Sequence, residues 1–218
     1  MRKGIEKFQL LTHDIDGYTH EQQALDACMA GARWIQLRSK KLSHEDLLHT
    51  AKEVKRICVI FNATFILNDN AEIAKAVNAD GVHLGKDDMP IKQARRLLGD
   101  HVIIGTSCNT FNDIAVAAKE PINYTGLGPY RYTATRKNLN PLLGLDGIRD
   151  AMRQYHIQGY KLPVVAIGGV RLEDLPFLLQ AGVHGVAVSS AVHNSEKRAE
   201  TVKEFIAQVQ ASNVQHVA

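Results

Sequence analysis

Several short stretches carry side chains that could do chemistry together. In QLRSKK, Gln36, Arg38 and Lys40 fall at alternating positions, so an extended chain sets all three on one face. An amide beside two cations suits an anion or a polar heterocycle. Arg38 and Lys40 alone would read as a chain leaving a sheet for solvent. Gln36, however, must share their face inside an otherwise apolar run, and that favours a binding site. Further along come Asn68-Asp69-Asn70 and Asp87-Asp88. Asn70 fits a helix cap, and one of Asp87 and Asp88 is available to cap the helix beginning near Pro90. The remaining carboxylates are hard oxygen donors of the kind that hold Mg2+, often with substrate phosphates completing the shell.

A second group of residues points to phosphate. AIGG ends in Gly168-Gly169 and VSS in Ser189-Ser190. Glycine lets backbone N–H groups approach a ligand without side-chain obstruction, and a serine pair opening a helix sits where free amides favour anions. Tight turns and a cap would account for one glycine and one serine but not for both pairs at successive strand ends. Ser107, in GTSC, could either donate to a ligand or cap the next helix. Cys108 has no histidine or acid near it in sequence, so a buried thiol is the simpler reading. His83, alone within an apolar run, reads as a satisfied core residue. The stretch GLGPYRYTATRKN, residues 126 to 138, gathers a Gly-Pro turn, two threonines, an arginine and a lysine after another apolar run.

The elements that must position these residues follow from the pattern of apolar runs. Strands are expected at 8–12, 33–38, 64–68, 81–85, 102–107, 124–128, 163–169 and 185–190, with helical spacing between them. Strands alternating with helices are the signature of βαβ units and a parallel sheet. Ser43 followed by Asp46 is an acidic variant of the capping box, and Gly31 and Gly182 can close helices in a left-handed cap. Eight such units predict a single-domain α/β fold, the (β/α)8 TIM barrel, over residues 1–218, with about 211–218 as a frayed tail. An open doubly wound sheet is the alternative. In a barrel, the candidate binding residues above stand at C-terminal strand ends, where barrel enzymes build their sites.

The remaining composition narrows the function classes. A formal charge of +3, from 26 basic and 23 acidic residues scattered along 218, gives no basic stripe for nucleic acid but is compatible with an anionic small molecule. Three cysteines at no metal-like spacing suggest neither a disulfide framework nor a zinc site. With no apolar run of signal-peptide or membrane length, a cytoplasmic protein with no membrane partner is expected. The sequence sets no oligomeric state, and a homodimer is compatible with it.

QLRSK, LNDN, GVHLGKDD, the serine of GTS, GPYRYTAT, AIGGV and GVAVSSAV together resemble, in order, the motifs of the thiamine-phosphate synthase family. The resemblance implies a transferase of thiamine biosynthesis. It would join 4-amino-2-methyl-5-pyrimidinylmethyl diphosphate to hydroxyethylthiazole phosphate, or its carboxylated form, with release of diphosphate. It also implies a dissociative course, in which the C–O bond to diphosphate breaks and the thiazole nitrogen captures the resulting cation. Carried over by position, Gln36, Arg38, Lys40, Asn68 and Ser107 match contacts to the pyrimidine substrate, and Asp69 and Asp88 match ligands of Mg2+. Thr133 and Thr135, with Gly169 and the Ser189-Ser190 backbone, match contacts to the thiazole phosphate. Arg136 stands where the family usually has a diphosphate-binding lysine, so Arg38, Lys40, Ser107 and Arg136 form the catalytic set.

Some positions depart from the family pattern. Ala134 separates the threonines where proline is common, Tyr130-Arg131 replaces an aliphatic pair, and Ser189 stands where an aliphatic residue is common. The related thiazole tautomerases are similar in fold, tend to lack the diphosphate and metal residues, and use a histidine in the turn after the sixth strand. That turn here is Gly128-Pro129-Tyr130, while Arg38, Lys40, Asp69 and Asp88 are all present. A non-catalytic sensor of thiamine intermediates would have little reason to keep them.

Overall fold

A computed structural model describes residues 4–132 and 141–211. Its eight strands are β1 (Phe8–Leu11), β2 (Trp34–Leu37), β3 (Thr64–Asn68), β4 (Gly81–Leu84), β5 (Ile103–Cys108), β6 (Tyr124–Leu127), β7 (Val164–Ile167) and β8 (Gly185–Val188). All pair in parallel in sequence order, and β1 pairs with β8 to close the barrel. Every expected strand is present, most of them trimmed by a residue or two at an end. The closure settles the choice against an open sheet.

The connecting helices are α1 (His20–Met29), α2 (His44–Ile60), α3 (Ala71–Ala76), α4 (Ile91–Leu98), α5 (Phe111–Ala117), α6 (Gly144–Ile157), α7 (Leu175–Gln180), α8 (Ser190–His193) and α9 (Arg198–Ala211). Helix α2 shows why the sequence folds this way. Ser43 Oγ accepts from the Asp46 amide at 3.1 Å, capping the first turn. Thr50, Ala51, Val54 and Cys58 then bury one stripe against the sheet. Gly31 and Gly182, each just past a helix, have φ of +108° and +93°, the left-handed closure expected of them.

Two apolar layers hold the barrel. The larger lies between sheet and helices, and includes Leu10, Ile35, Leu37, Phe65, Leu67 and Phe205. The smaller fills the barrel interior with Trp34, Ile66, Ile103, Tyr124, Val165 and Ala187. Strands covered on both faces explain the near-continuous apolar runs of the sequence. Alternation along the strands then aims the next residues, Gln36, Arg38, Asn68, Ser107, Gly169 and Ser189, at the open C-terminal mouth.

Candidate active site

The charged sector of the mouth is built by β2, β3 and β4. Gln36 is buried and donates through Nε2 to Gln9 Oε1 on β1 at 3.2 Å. Two residues on, the Arg38 amide donates to Thr12 Oγ1 at 3.2 Å, which fixes the chain as it leaves the sheet. Lys40 follows, and its ammonium pairs with the Asp69 carboxylate at the end of β3. Asp69 sits in the left-handed region at φ +66°, held there by its amide donating to the His83 carbonyl at 2.8 Å.

Asp88 joins this cluster rather than capping a helix. Its Oδ2 accepts from the Gly85 amide at 2.6 Å, and Pro90, which can offer no side-chain cap, occupies the N-cap position of α4. The expectation that Asp87 or Asp88 caps α4 therefore fails, because the short turn folds Asp88 back on its own strand end. Burial pushes the Asp88 carboxyl above its ordinary pKa, and the neighbouring Asp69 carboxyl adds to this. Two adjacent carboxylates repel each other unless a cation lies between or beside them. Among the described residues no group of three or more histidines, cysteines or acids could enclose a metal, so a bound ion would need ligands from its substrate as well.

Ser107 does not cap either. Thr110 takes that role for α5, with Asp113 completing a reciprocal capping box. Ser107 Oγ lies instead 2.9 Å from His83 Nε2, whose Nδ1 is 2.9 Å from the Tyr124 hydroxyl. His83 is thus a satisfied interior histidine, as its sequence context suggested, but it also ties Ser107 to the barrel core. Burial raises the Tyr124 hydroxyl well above its ordinary pKa, so it stays protonated. Gly105 makes the space: a β-carbon there would lie 2.2 Å from the Tyr124 ring.

The opposite sector is built from backbone. Gly168 and Gly169, after β7, have φ of +85° and +69°, and a β-carbon on either would press within 2.8 Å of Pro129 or Arg131. The turn after β6 lies directly against them: the amides of Tyr130 and Arg131 donate to the carbonyls of Ile167 and Gly168, each at 2.8 Å. The unusual Tyr130-Arg131 pair has a partner there. Arg131 grips the buried Asp174 with both terminal nitrogens, and the Tyr130 hydroxyl lies 3.3 Å from the same carboxylate. Ser189 and Ser190 follow β8, but the helix they open, α8, is a single turn of four residues. Its dipole is correspondingly small, so an anion there would be met by individual amides and hydroxyls. Thr133, Thr135 and Arg136 lie outside the described residues.

One part of the mouth was missed in the sequence, the turn after β1. Asp14 accepts from the Lys40 amide at 2.8 Å, from the Ser39 hydroxyl and from His20 Nε2 at 3.2 Å. Burial opposes ionisation of Asp14, but these hydrogen bonds outweigh it and hold the carboxyl below its ordinary pKa. Asp14 thereby fixes the turn that presents Lys40. The available signal was position alone, since His13 and Asp14 directly follow the first expected strand.

A closed (β/α)8 barrel with cations, paired carboxylates and glycine-rich turns at one mouth has the layout of an enzyme for anionic small molecules. A family model described as thiamine monophosphate synthase matches residues 9–192. Thiamine-phosphate synthase of Bacteroides thetaiotaomicron is 43% identical over 198 residues, covering 91% of this chain and 95% of that protein. Its counterpart in Methanosarcina barkeri is 38% identical, covering 94% and 95%. The solved thiamine phosphate pyrophosphorylase of Pyrococcus furiosus superposes with a TM-score of 0.82 at 30% identity, covering 94% of this chain and 96% of that one. The chain belongs to the thiamine monophosphate synthase family.

Proposed function

We propose that this chain is a cytoplasmic, Mg2+-dependent transferase that makes thiamine phosphate. It joins 4-amino-2-methyl-5-pyrimidinylmethyl diphosphate to hydroxyethylthiazole phosphate, or to the carboxylated form, and releases diphosphate. The names of its relatives support the reaction. The observation that carries the reading at the level of residues is the meeting of Lys40, Asp69 and Asp88 at one point of the mouth, beside the strand that carries Gln36 and Arg38. That set is what a diphosphate with its metal requires, and it has no use in a barrel that binds a phosphate monoester alone.

The adjacent carboxylates of Asp69 and Asp88 fit Mg2+, which takes hard oxygen donors and is commonly completed by phosphate oxygens. When bound, the ion neutralises charge on the leaving diphosphate. Arg38 and Lys40 act in the same sense: as the C–O bond to the pyrimidinylmethyl carbon breaks, the bonding pair leaves with diphosphate and meets two fixed cations. Arg136 adds a third in this reading. Preorganised charge of this kind needs no reorganisation as the reaction proceeds. Gln36, Asn68 and Ser107 hold the pyrimidine, with His83 and Tyr124 bracing Ser107 from below. The thiazole nitrogen then donates its lone pair to the cationic carbon, its approach fixed by the phosphate on Thr133, Thr135, Gly169, Ser189 and Ser190.

Purified protein incubated with both substrates provides the test. The reading expects thiamine phosphate and diphosphate in equal amounts only when Mg2+ is supplied. Tight binding of hydroxyethylthiazole phosphate without product in the presence of Mg2+ would sink it, leaving a binding protein or a tautomerase.

A further inference from the structure

The interior line of β1 runs Gln9, Leu11, His13, so alternation brings the His13 ring to the mouth directly beside the end of β8, its partner strand. There His13 Nδ1 lies 2.7 Å from Ser189 Oγ. Ser189 stands at the N-cap position of α8, yet its side chain does not cap the helix. Its hydroxyl is turned across the strand boundary to the imidazole instead. His13 is itself clamped: Gln23, buried on α1, accepts from its amide at 3.0 Å and donates to its carbonyl at 2.9 Å. A ring whose backbone is held in both directions, and which packs edge-on against the buried His193 at 5.0 Å, can hold a hydroxyl in one orientation.

We propose that His13 is a positioning residue for the phosphate of the thiazole substrate, acting by orienting the Ser189 hydroxyl toward that phosphate. The proposal rests on the synthase reading given above. The chemistry is set by the two faces of a neutral imidazole, one nitrogen donating and the other accepting. When Nδ1–H donates to Ser189 Oγ, the hydroxyl hydrogen is released from the imidazole and can be given to a phosphate oxygen. An anion at this end of the mouth selects that tautomer, because the alternative turns the oxygen lone pairs toward it. Burial keeps His13 below its ordinary pKa; Asp14 opposes this, and His20 and Arg38 reinforce it. His193 faces it too, itself lowered to about 4 by burial and donating through Nε2 to the Leu11 carbonyl at 2.9 Å. The ring therefore acts as a neutral hydrogen-bonding group and not as a fixed charge.

Steady-state kinetics of the wild type, His13→Ala, His13→Asn, Ser189→Ala and the His13→Ala/Ser189→Ala double variant test this. Each alanine variant is expected to raise KM for hydroxyethylthiazole phosphate about fivefold to tenfold, the loss of one neutral hydrogen bond. The KM for the pyrimidine diphosphate and the kcat at saturation should stay near wild type. The double variant should be no worse than either single one, since both remove the same interaction. His13→Asn, whose amide nitrogen stands close to the place of Nδ1, should recover most of the loss. Should His13→Ala fail to fold, Ser189→Ala, which deletes only a hydroxyl, gives the same reading of KM. An active wild type whose alanine variants keep KM unchanged, lose kcat instead, or add their losses in the double variant would overturn this inference alone. A wild type that makes no thiamine phosphate would overturn the synthase reading together with it.

Discussion

In the proposed function, the two halves of the mouth grip anions in different ways. The β2–β4 half uses side-chain charge: Lys40 on Asp69, Asp69 beside Asp88, and Arg38 on the same strand line as Gln36. The β7–β8 half uses backbone, two glycines in left-handed conformations and a serine pair, locked against the Tyr130-Arg131 turn through Asp174. A half built from charge can stabilise a leaving group whose charge grows during the reaction. A half built from amides and hydroxyls is suited to holding a phosphate whose charge does not change. On the proposed function, the difference gives the chemistry to the first half and the alignment of the nucleophile to the second.

Variants can break this division in order of expected effect. Asp69→Asn is expected to be the most severe, with product formation falling by about a thousandfold or more if Asp69 holds the proposed Mg2+. Asparagine is chosen because it tolerates the left-handed backbone at position 69. Its melting temperature should move by only about 2 °C, since the Lys40 pair it loses is exposed and contributes little. A large fall in stability would make Asp69 structural. Arg38→Gln should lower kcat by about a hundredfold, the usual cost of deleting one group aimed at developing charge, and an unchanged kcat would remove it from the chemistry.

Gly169→Ala probes the other half. A β-carbon there would stand 2.8 Å from Arg131 Cβ at φ +69°, so unfolding stability should fall by about 1–3 kcal/mol. The KM for hydroxyethylthiazole phosphate should rise about tenfold while that for the pyrimidine diphosphate moves less than about threefold. Equal changes in both would dissolve the distinction between the halves. The mildest case is Tyr124→Phe, which removes the hydroxyl from His83 and leaves Ser107 less firmly braced. A rise of about threefold in KM for the pyrimidine diphosphate is expected, with a stability loss of about 1 kcal/mol. No change in either would mean that Ser107 needs no bracing.

The same contrast explains what could be read in the sequence. The barrel was legible because strands covered on both faces leave apolar runs that side-chain alternation elsewhere cannot mimic, and all eight are found. The charged half was legible because Gln36, Arg38 and Lys40 carry their period in the chain and Asp69 is an acid at a strand end; between Asp87 and Asp88 only the family resemblance chose. What was hidden depended on residues distant in sequence. His13 meets Ser189 across 176 positions, and Asp14 meets Lys40 across 26. Whether a strand-end side chain caps the next helix also depends on competitors: Thr110 displaced Ser107 from that role, and the fold of its own turn removed Asp88. No local pattern decides such contests.

Calorimetric titration of diphosphate into the protein tests the division most directly. Diphosphate is expected to bind only with Mg2+ present and to be lost in Asp69→Asn, while hydroxyethylthiazole phosphate binds the same variant as it binds the wild type. Diphosphate binding that needs no metal and survives Asp69→Asn would contradict the account.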